Sequence, residues 1–296
     1  EKEGKKVLFL FYNRFIANKV SRSFDRDSEI NCTRFQKFAK AAIDQTDTDW
    51  WNTHYRKNDD SFWEEDISLK LVDLTHDEAD KFDAIIVDEG QDFKPDWFEY
   101  LEGLLVDSEE SRFVVFYDEH QDVFGRWSDL PWGEKGASRK QLTENCRNTK
   151  SIINYLNDKR PTGMTPFKRS PDGEKVIERR VSGPEEAKGK ILDDITGVLN
   201  EGVLPGQIVV LLNPGKKESC LADVTKIGRV KFESVSRYYD ERSRSIQFTT
   251  INMFKGLEAD VVFVVACERY KEKALSEILY AQGSRARILL YVYYLQ

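Results

Sequence analysis

Short apolar runs punctuate this chain, each bounded by charged or turn-forming residues. They lie at Val7 to Tyr12, Ala84 to Val87, Arg112 to Tyr117, Gln207 to Leu212, Ser245 to Thr250, Val261 to Ala266 and Ile288 to Tyr294. Runs of this length read as buried strands. Between them, Arg34 to Ile43, Asp96 to Val106, Thr149 to Asp158, Glu185 to Asn200 and Ser276 to Ser284 read as helices, with Thr149 a capping-type residue. Glu1 to Lys6 resembles a helix end, with Gly4 as its terminator. Trp50 to Asp66 is an aromatic and charged insertion whose pattern predicts no element. Asp118 to Trp132 and Pro161 to Gly173 read as loop. Strands alternating with helices predict an α/β chain with two parallel-sheet domains. Pro, Gly and Ser cluster between Leu130 and Ser138, so the expected domains are 1–135 and 136–296.

Composition narrows the class. A chain of 296 residues, 40% hydrophobic and 33% charged, can form two ordinary globular cores. Its apolar stretches fall far short of the ~20 residues a membrane span needs. The opening residues carry neither an initiator Met nor a basic-then-apolar secretory leader. The expectation is therefore an internal segment of a longer polypeptide that works in the cytoplasm, at the nucleoid, or in a eukaryotic nucleus. Cys32, Cys146, Cys220 and Cys267 form no CxxC pair, and His54, His76 and His120 have no metal-ligand spacing. A net charge of −7 weighs against nucleic-acid binding overall, although a local groove can be positive on an acidic protein.

The most informative stretch is Phe82 to Phe93, FDAIIVDEGQDF. Its apolar run ends in Asp88 and Glu89, which places two carboxylates at the carboxyl end of a strand, where open α/β sheets bind ligands. A magnesium nucleotide needs this pair: one carboxylate for Mg²⁺ or its waters, the other to orient and deprotonate the attacking water. The competing interpretation is a strand that ends in a solvated acidic turn. Gln91 and Asp92 sharpen the first interpretation. Phe116 to Gln121 again ends a strand in a polar cluster, and the Gln121 amide can sense a γ-phosphate. Leu142 to Thr149 (LTENCRNT) presents Arg147 before a helix, and Leu279 to Arg287 (LYAQGSRAR) presents Arg285 near a helix end. Phe248 to Glu258 (FTTINMFKGLE) precedes the Val261 strand, and Leu8 to Arg14 puts polar residues after the first strand. Taken singly, either arginine reads as a surface ion pair.

In this order, the segments resemble the superfamily-one helicases of the UvrD/Rep/PcrA type over nearly the whole chain. The carboxylate run is similar to their Walker B segment, with Gly90 where Ala is usual, and the Lys255 to Glu258 and Ser284 to Ala286 runs are specific in combination. The resemblance implies two RecA-like domains, the second without a large insertion, and a motor that couples ATP hydrolysis to 3′ to 5′ movement on single-stranded DNA. It implies Asp88 as the Mg²⁺ ligand and Glu89 as the group that activates water. Gln121 would couple phosphate state to the DNA site, and Arg147 and Arg285 would reach the γ-phosphate. Gln91, Lys255, Gly256 and Glu258 would lie at the nucleotide, with Glu258 on the ribose. The implied single-strand contacts are Tyr12, Asn13, Thr33, Phe35, Phe124, Arg126, Trp127, Thr250 and Asn252. Two of these depart from the pattern: Arg126-Trp127 reverses the usual aromatic-Arg order, and Asn252 replaces a His. For each aromatic, core packing competes with base stacking.

The phosphate-binding loop Gly-x-x-x-x-Gly-Lys-Ser/Thr is absent. Gly4-Lys5, Gly189-Lys190 and Gly215-Lys216 are followed by Lys6, Ile191 and Lys217, none of which offers a hydroxyl for Mg²⁺. The first domain is therefore expected to lack its phosphate-loop strand and helix. Three origins remain: a fragment of a full motor, a degenerate module that binds nucleic acid or protein without hydrolysis, or a chain completed by another subunit. As given, the chain is expected to hydrolyse ATP negligibly.

Overall fold

A computed structural model describes residues 4–25, 28–55, 61–74, 80–107, 110–118, 137–212, 215–235, 238–266 and 279–295. The chain forms two compact units, Glu1–Ser138 and Arg139–Gln296. Among the described residues no helix is long and apolar enough to cross a membrane.

The first unit is a parallel sheet of β1 (Val7–Phe11), β2 (Ile30–Arg34), β3 (Ala84–Asp88) and β4 (Arg112–Val115), in the order β2-β1-β3-β4. Alternation along the strands sets two faces. Leu8, Leu10, Ile85 and Val87 enter a core built with α2 (Phe35–Thr46), α4 (Ile67–Val72) and α5 (Pro95–Glu102). α2 buries Phe35, Ala39 and Ile43, one position per turn, and Lys40 pairs with Asp44 on its outer side. The described residues of the Trp50 to Asp66 insertion include α3 (Trp50–His54) and a π-helical turn, Phe62–Asp66. Trp50, Trp51 and Phe62 join the same core, which is why the segment carries so many rings. α1 (Arg14–Ser21) starts at Asn13, whose Oδ1 accepts from the Phe15 amide at 2.7 Å.

From β1 the chain steps outward to β2 on one side, then returns to place β3 on the other. The carboxyl ends of β1 and β3 therefore flank a topological switch point, the usual ligand crevice of an open α/β sheet. Phe11 and Asp88 are register partners there.

The second unit is a seven-stranded sheet, ordered β7-β13-β12-β8-β11-β10-β9. Its strands are β7 (Ile177–Val181), β8 (Ile208–Leu212), β9 (Lys226–Ile227), β10 (Val230–Ser234), β11 (Ile246–Thr250), β12 (Ala259–Val265) and β13 (Ala286–Leu295). A two-stranded pair, β5 (Glu144–Asn145) with β6 (Thr165–Pro166), stands apart. All five residues of β8 are buried, as a central strand requires. α7 (Pro184–Asn200) lays Ala187, Ile191, Ile195 and Val198 on the sheet as one stripe. The expectation of a purely parallel second sheet needs correction. β9 and β10 are antiparallel, joined by a tight turn with Gly228 at φ +59°, so this sheet is mixed.

Thr149 also behaves differently from expectation. It stands at the start of α6 (Lys150–Lys159), but its hydroxyl makes no capping bond, and Oγ1 is buried without a partner among the described residues. Carbonyls of Pro171 and Asp172 instead accept from the amides of Lys150 and Ser151 at 3.0 and 2.9 Å. Of the predicted Ser276 to Ser284 helix, residues 279–283 are described and helical.

Candidate functional site

In the first unit the candidate residues gather at the tip of β3. Glu89 adopts φ 55°, ψ 46°, and no other non-glycine among the described residues has a positive φ. A β-unbranched side chain in the left-handed region costs about 1–2 kcal/mol, and such strain collects at functional sites. The turn is held by its neighbours. Gln91, fully buried, donates from Nε2 to Glu89 Oε2 at 2.6 Å, and its Oε1 accepts from the Asp118 amide at 3.1 Å. The Gly90 amide donates to Phe116 O at 2.8 Å, so the tip of β3 is stitched to the chain leaving β4. This approach requires glycine, because a Cβ on Gly90 would lie 2.3 Å from Val115 Cγ1. Asp88 is half-buried at the strand end, and Asp92 is buried within the turn.

Tyr12 lies at the end of the neighbouring strand, half-buried, with its ring stacked on Trp97 at 6.5 Å. Asn13 is nearly buried and its side-chain oxygen is committed to the α1 cap. Thr33 is a half-buried β2 residue in register with Leu10. Phe35 corrects the sequence expectation. Its ring is fully buried, stacked on Trp97 at 4.3 Å and edge-on to Phe93 at 5.3 Å. No base can reach it, so Phe35 is a core residue. Gln91 likewise acts on Glu89 from the interior, where it cannot meet a nucleotide directly. Gln121, Phe124, Arg126 and Trp127 lie outside the described residues.

In the second unit a charged cluster occupies the amino edge of the sheet, where β12 and β13 begin. Arg147 Nε donates to Glu258 Oε2 at 2.9 Å. Glu258 also faces Arg287 Nη1 at 3.4 Å. Arg287 is anchored further by Asp260, at 2.8 Å from Nη2 and 2.9 Å from Nε, and by Glu241 at 3.1 Å. Burial pulls the Arg287 guanidinium down, but Asp260, Glu241 and Glu258 outweigh it and hold the group above its ordinary value. Glu241 is placed by a strap that crosses Gly206: the Tyr239 hydroxyl donates to Gly206 O at 2.7 Å, and a Cβ on Gly206 would lie 2.5 Å from Glu241 O.

The turn that carries Arg147 is tied to the Arg285 segment by asparagines. Asn145 Oδ1 accepts from the amides of Arg147 and Asn148, both at 3.0 Å. Asn148, almost fully buried, donates to the carbonyls of Ser284 and Ala286. The two arginine segments thus adjoin, but the side chains differ. Arg285 is only 2% exposed and donates from Nε to Ala281 O at 3.0 Å. Its expected reach to a phosphate is not the conformation seen; the half-exposed arginine beside Arg147 is Arg287. Asn145, Asn148 and Arg287 were not singled out from the sequence. An Asn two residues before Arg147 is a legible side-chain turn signal.

The Thr250 to Glu258 run is split across the sheet. Thr250 ends β11 at the carboxyl edge, and Asn252 is exposed on the short α8 (Ile251–Phe254). Lys255 is buried, Gly256 turns the chain at φ +77°, and Glu258 emerges at the opposite edge. Thr250 and Asn252 are therefore not brought beside Glu258.

No protein-family model matches this chain, and no curated protein matches it either.

Proposed function

We propose that the chain is the core of a UvrD-like, superfamily-one DNA motor, with each unit a RecA-like domain, one for each of the expected halves, 1–135 and 136–296. The observation that carries this reading is the Asp88–Glu89 tip. Two adjacent carboxylates stand at the switch point of a parallel sheet, and the second is held in a strained turn by a buried amide. A strained, clamped carboxylate at a ligand crevice suits a group that must receive a proton from a positioned water.

Asp88 fits a Mg²⁺ bound in the usual nucleotide manner, by one or two carboxylates plus substrate phosphates. Arg147 supplies a guanidinium for a phosphate oxygen, and Glu258 an acceptor for a ribose hydroxyl. The phosphate loop must come from elsewhere. Parallel sheets are ordinarily covered on both faces. Among the described residues β4 is an edge strand, with Val114 39% exposed and Phe116 just beyond it 53% exposed, which suits packing by a further strand and helix. Single-stranded DNA is the polymer the reading assigns, and the chain by itself hydrolyses ATP negligibly.

One observation favours the second reading, a helicase-shaped module that binds without hydrolysis: Arg285 is turned inward onto Ala281 O. The two readings part on one experiment. The chain is joined to the segment that supplies Gly-x-x-x-x-Gly-Lys-Ser/Thr, and ATP turnover is followed with and without single-stranded DNA. DNA-stimulated turnover supports the motor; its absence in a folded, ATP-binding assembly supports the module.

A further inference from the structure

Glu258 has two guanidinium partners of unequal commitment. Arg147 meets it through Nε at 2.9 Å and has no other side-chain partner among the described residues. Arg287 meets it at 3.4 Å but is fixed independently by Asp260 and Glu241. The Arg147–Glu258 pair is about one-third exposed on each side, 39% and 32%. A pair exposed to that degree is weak and open to displacement by a competing anion. If Arg147 leaves, Glu258 still has its Arg287 contact, on a guanidinium that it shares with Asp260 and Glu241.

We propose that Glu258 is an internal counter-ion standing in for phosphate on Arg147, and that Arg287 retains Glu258 when a polyphosphate takes Arg147 over. The inference rests on the reading that Arg147 meets phosphate, and it adds a device to that site. Before nucleotide arrives, the guanidinium is capped and pointed by Glu258. On exchange, Glu258 keeps its place and its Oε2 is released to accept a ribose hydroxyl. One carboxylate thus serves the free site and then the loaded one.

Inorganic tripolyphosphate tests this on the full 296-residue chain, because it carries the phosphate charge without a ribose. Titrations are followed by the arginine Nε–Hε signals, assigned with Arg147→Lys and Arg287→Lys. The expected result is that the Arg147 signal shifts on saturation while the Arg287 signal stays. Glu258→Gln should tighten tripolyphosphate roughly two- to fivefold, the range set by an exposed pair. In an Arg147→Ala background the same Glu258→Gln change should have no effect. An equal gain in both backgrounds would reveal only a general field effect and overturns the exchange. So does a titration in which Arg147→Ala weakens binding but Glu258→Gln changes nothing; that outcome leaves the phosphate role of Arg147 intact. If Arg147→Ala itself leaves affinity unchanged, Arg147 does not meet phosphate, and both this inference and the reading beneath it fail.

Discussion

The side-chain amide of Gln91 donates to the carboxylate of Glu89 at 2.6 Å, from a position sealed off from solvent. The amide's own oxygen is tied to the Asp118 backbone, so the carboxylate is aimed by a group that cannot swing. This clamp opposes the backbone preference of Glu89, whose left-handed φ is unfavourable for any residue with a Cβ.

Relief of that strain should be measurable. Glu89→Gly and Glu89→Ala both remove the acceptor of the buried Gln91 amide, so each should lose stability, and the difference between them isolates the strain. Glycine avoids the Cβ penalty of about 1–2 kcal/mol but adds unfolded-state entropy of about 0.5–1 kcal/mol. Urea unfolding should show Glu89→Gly at least as stable as Glu89→Ala, by up to about 1.5 kcal/mol. A Glu89→Gly protein clearly less stable than Glu89→Ala would mean that the turn is not strained by its side chain.

Gly90→Ala should add strain. The added methyl would lie 2.3 Å from Val115 Cγ1, and a β-branched side chain packed on the core has little room to yield. Overpacking of this kind costs about 1–3 kcal/mol, read as a lower urea midpoint at unchanged slope. Wild-type stability would contradict the close approach of β3 and β4.

Phe35 separates packing from stacking. Phe35→Leu should lower stability by about 1 kcal/mol and leave single-stranded oligonucleotide affinity unchanged in the folded protein. A lost base stack would instead weaken binding by about 1–3 kcal/mol with little change in stability. Fluorescence anisotropy with a short thymidine oligomer, alongside thermal melting, distinguishes the two.

Acid should weaken the second unit through two carboxyls held below their ordinary values. Burial raises both, but is outweighed at Asp194 by the Arg179 fork and the Tyr293 hydroxyl, and at Glu178 by Lys159, Tyr155 and Tyr294. A depressed carboxyl binds fewer protons when folded than when unfolded. Its stabilisation is therefore complete above the unfolded values, 3.8 for Asp and 4.5 for Glu, and disappears as pH falls through the lower folded ones. Urea unfolding followed across acidic pH should show stability falling below pH 4.5, less steeply in Asp194→Asn. Identical slopes would contradict the assignment.

Much of the architecture was legible because burial and charge change abruptly along the chain. The β8 run has no polar residue to confuse it, and Asp88–Glu89 stands at a strand end whichever helix packs above. β7 was overlooked because an edge strand tolerates charge: IERRV uses Arg179 and Glu178 for ion pairs rather than for core. β2 and β10, INCTR and VKFES, are similarly diluted by polar residues. The site was less readable in the second unit for a different reason. Arg287 draws on Asp260 and Glu241, 27 and 46 positions away, and no local pattern announces such a meeting. Arg285 and Phe35 carried the right residue types for a binding site, but the fold buries both.

The account turns on Glu89 as the group that takes a proton from the attacking water. The most direct measurement is single-stranded-DNA-stimulated ATP hydrolysis by the chain joined to a segment that supplies Gly-x-x-x-x-Gly-Lys-Ser/Thr, with Glu89→Gln compared with the same assembly unmutated. The account predicts that turnover falls by about 10²–10⁴-fold while ATP affinity stays within about twofold. Turnover at the parent rate in Glu89→Gln would contradict it.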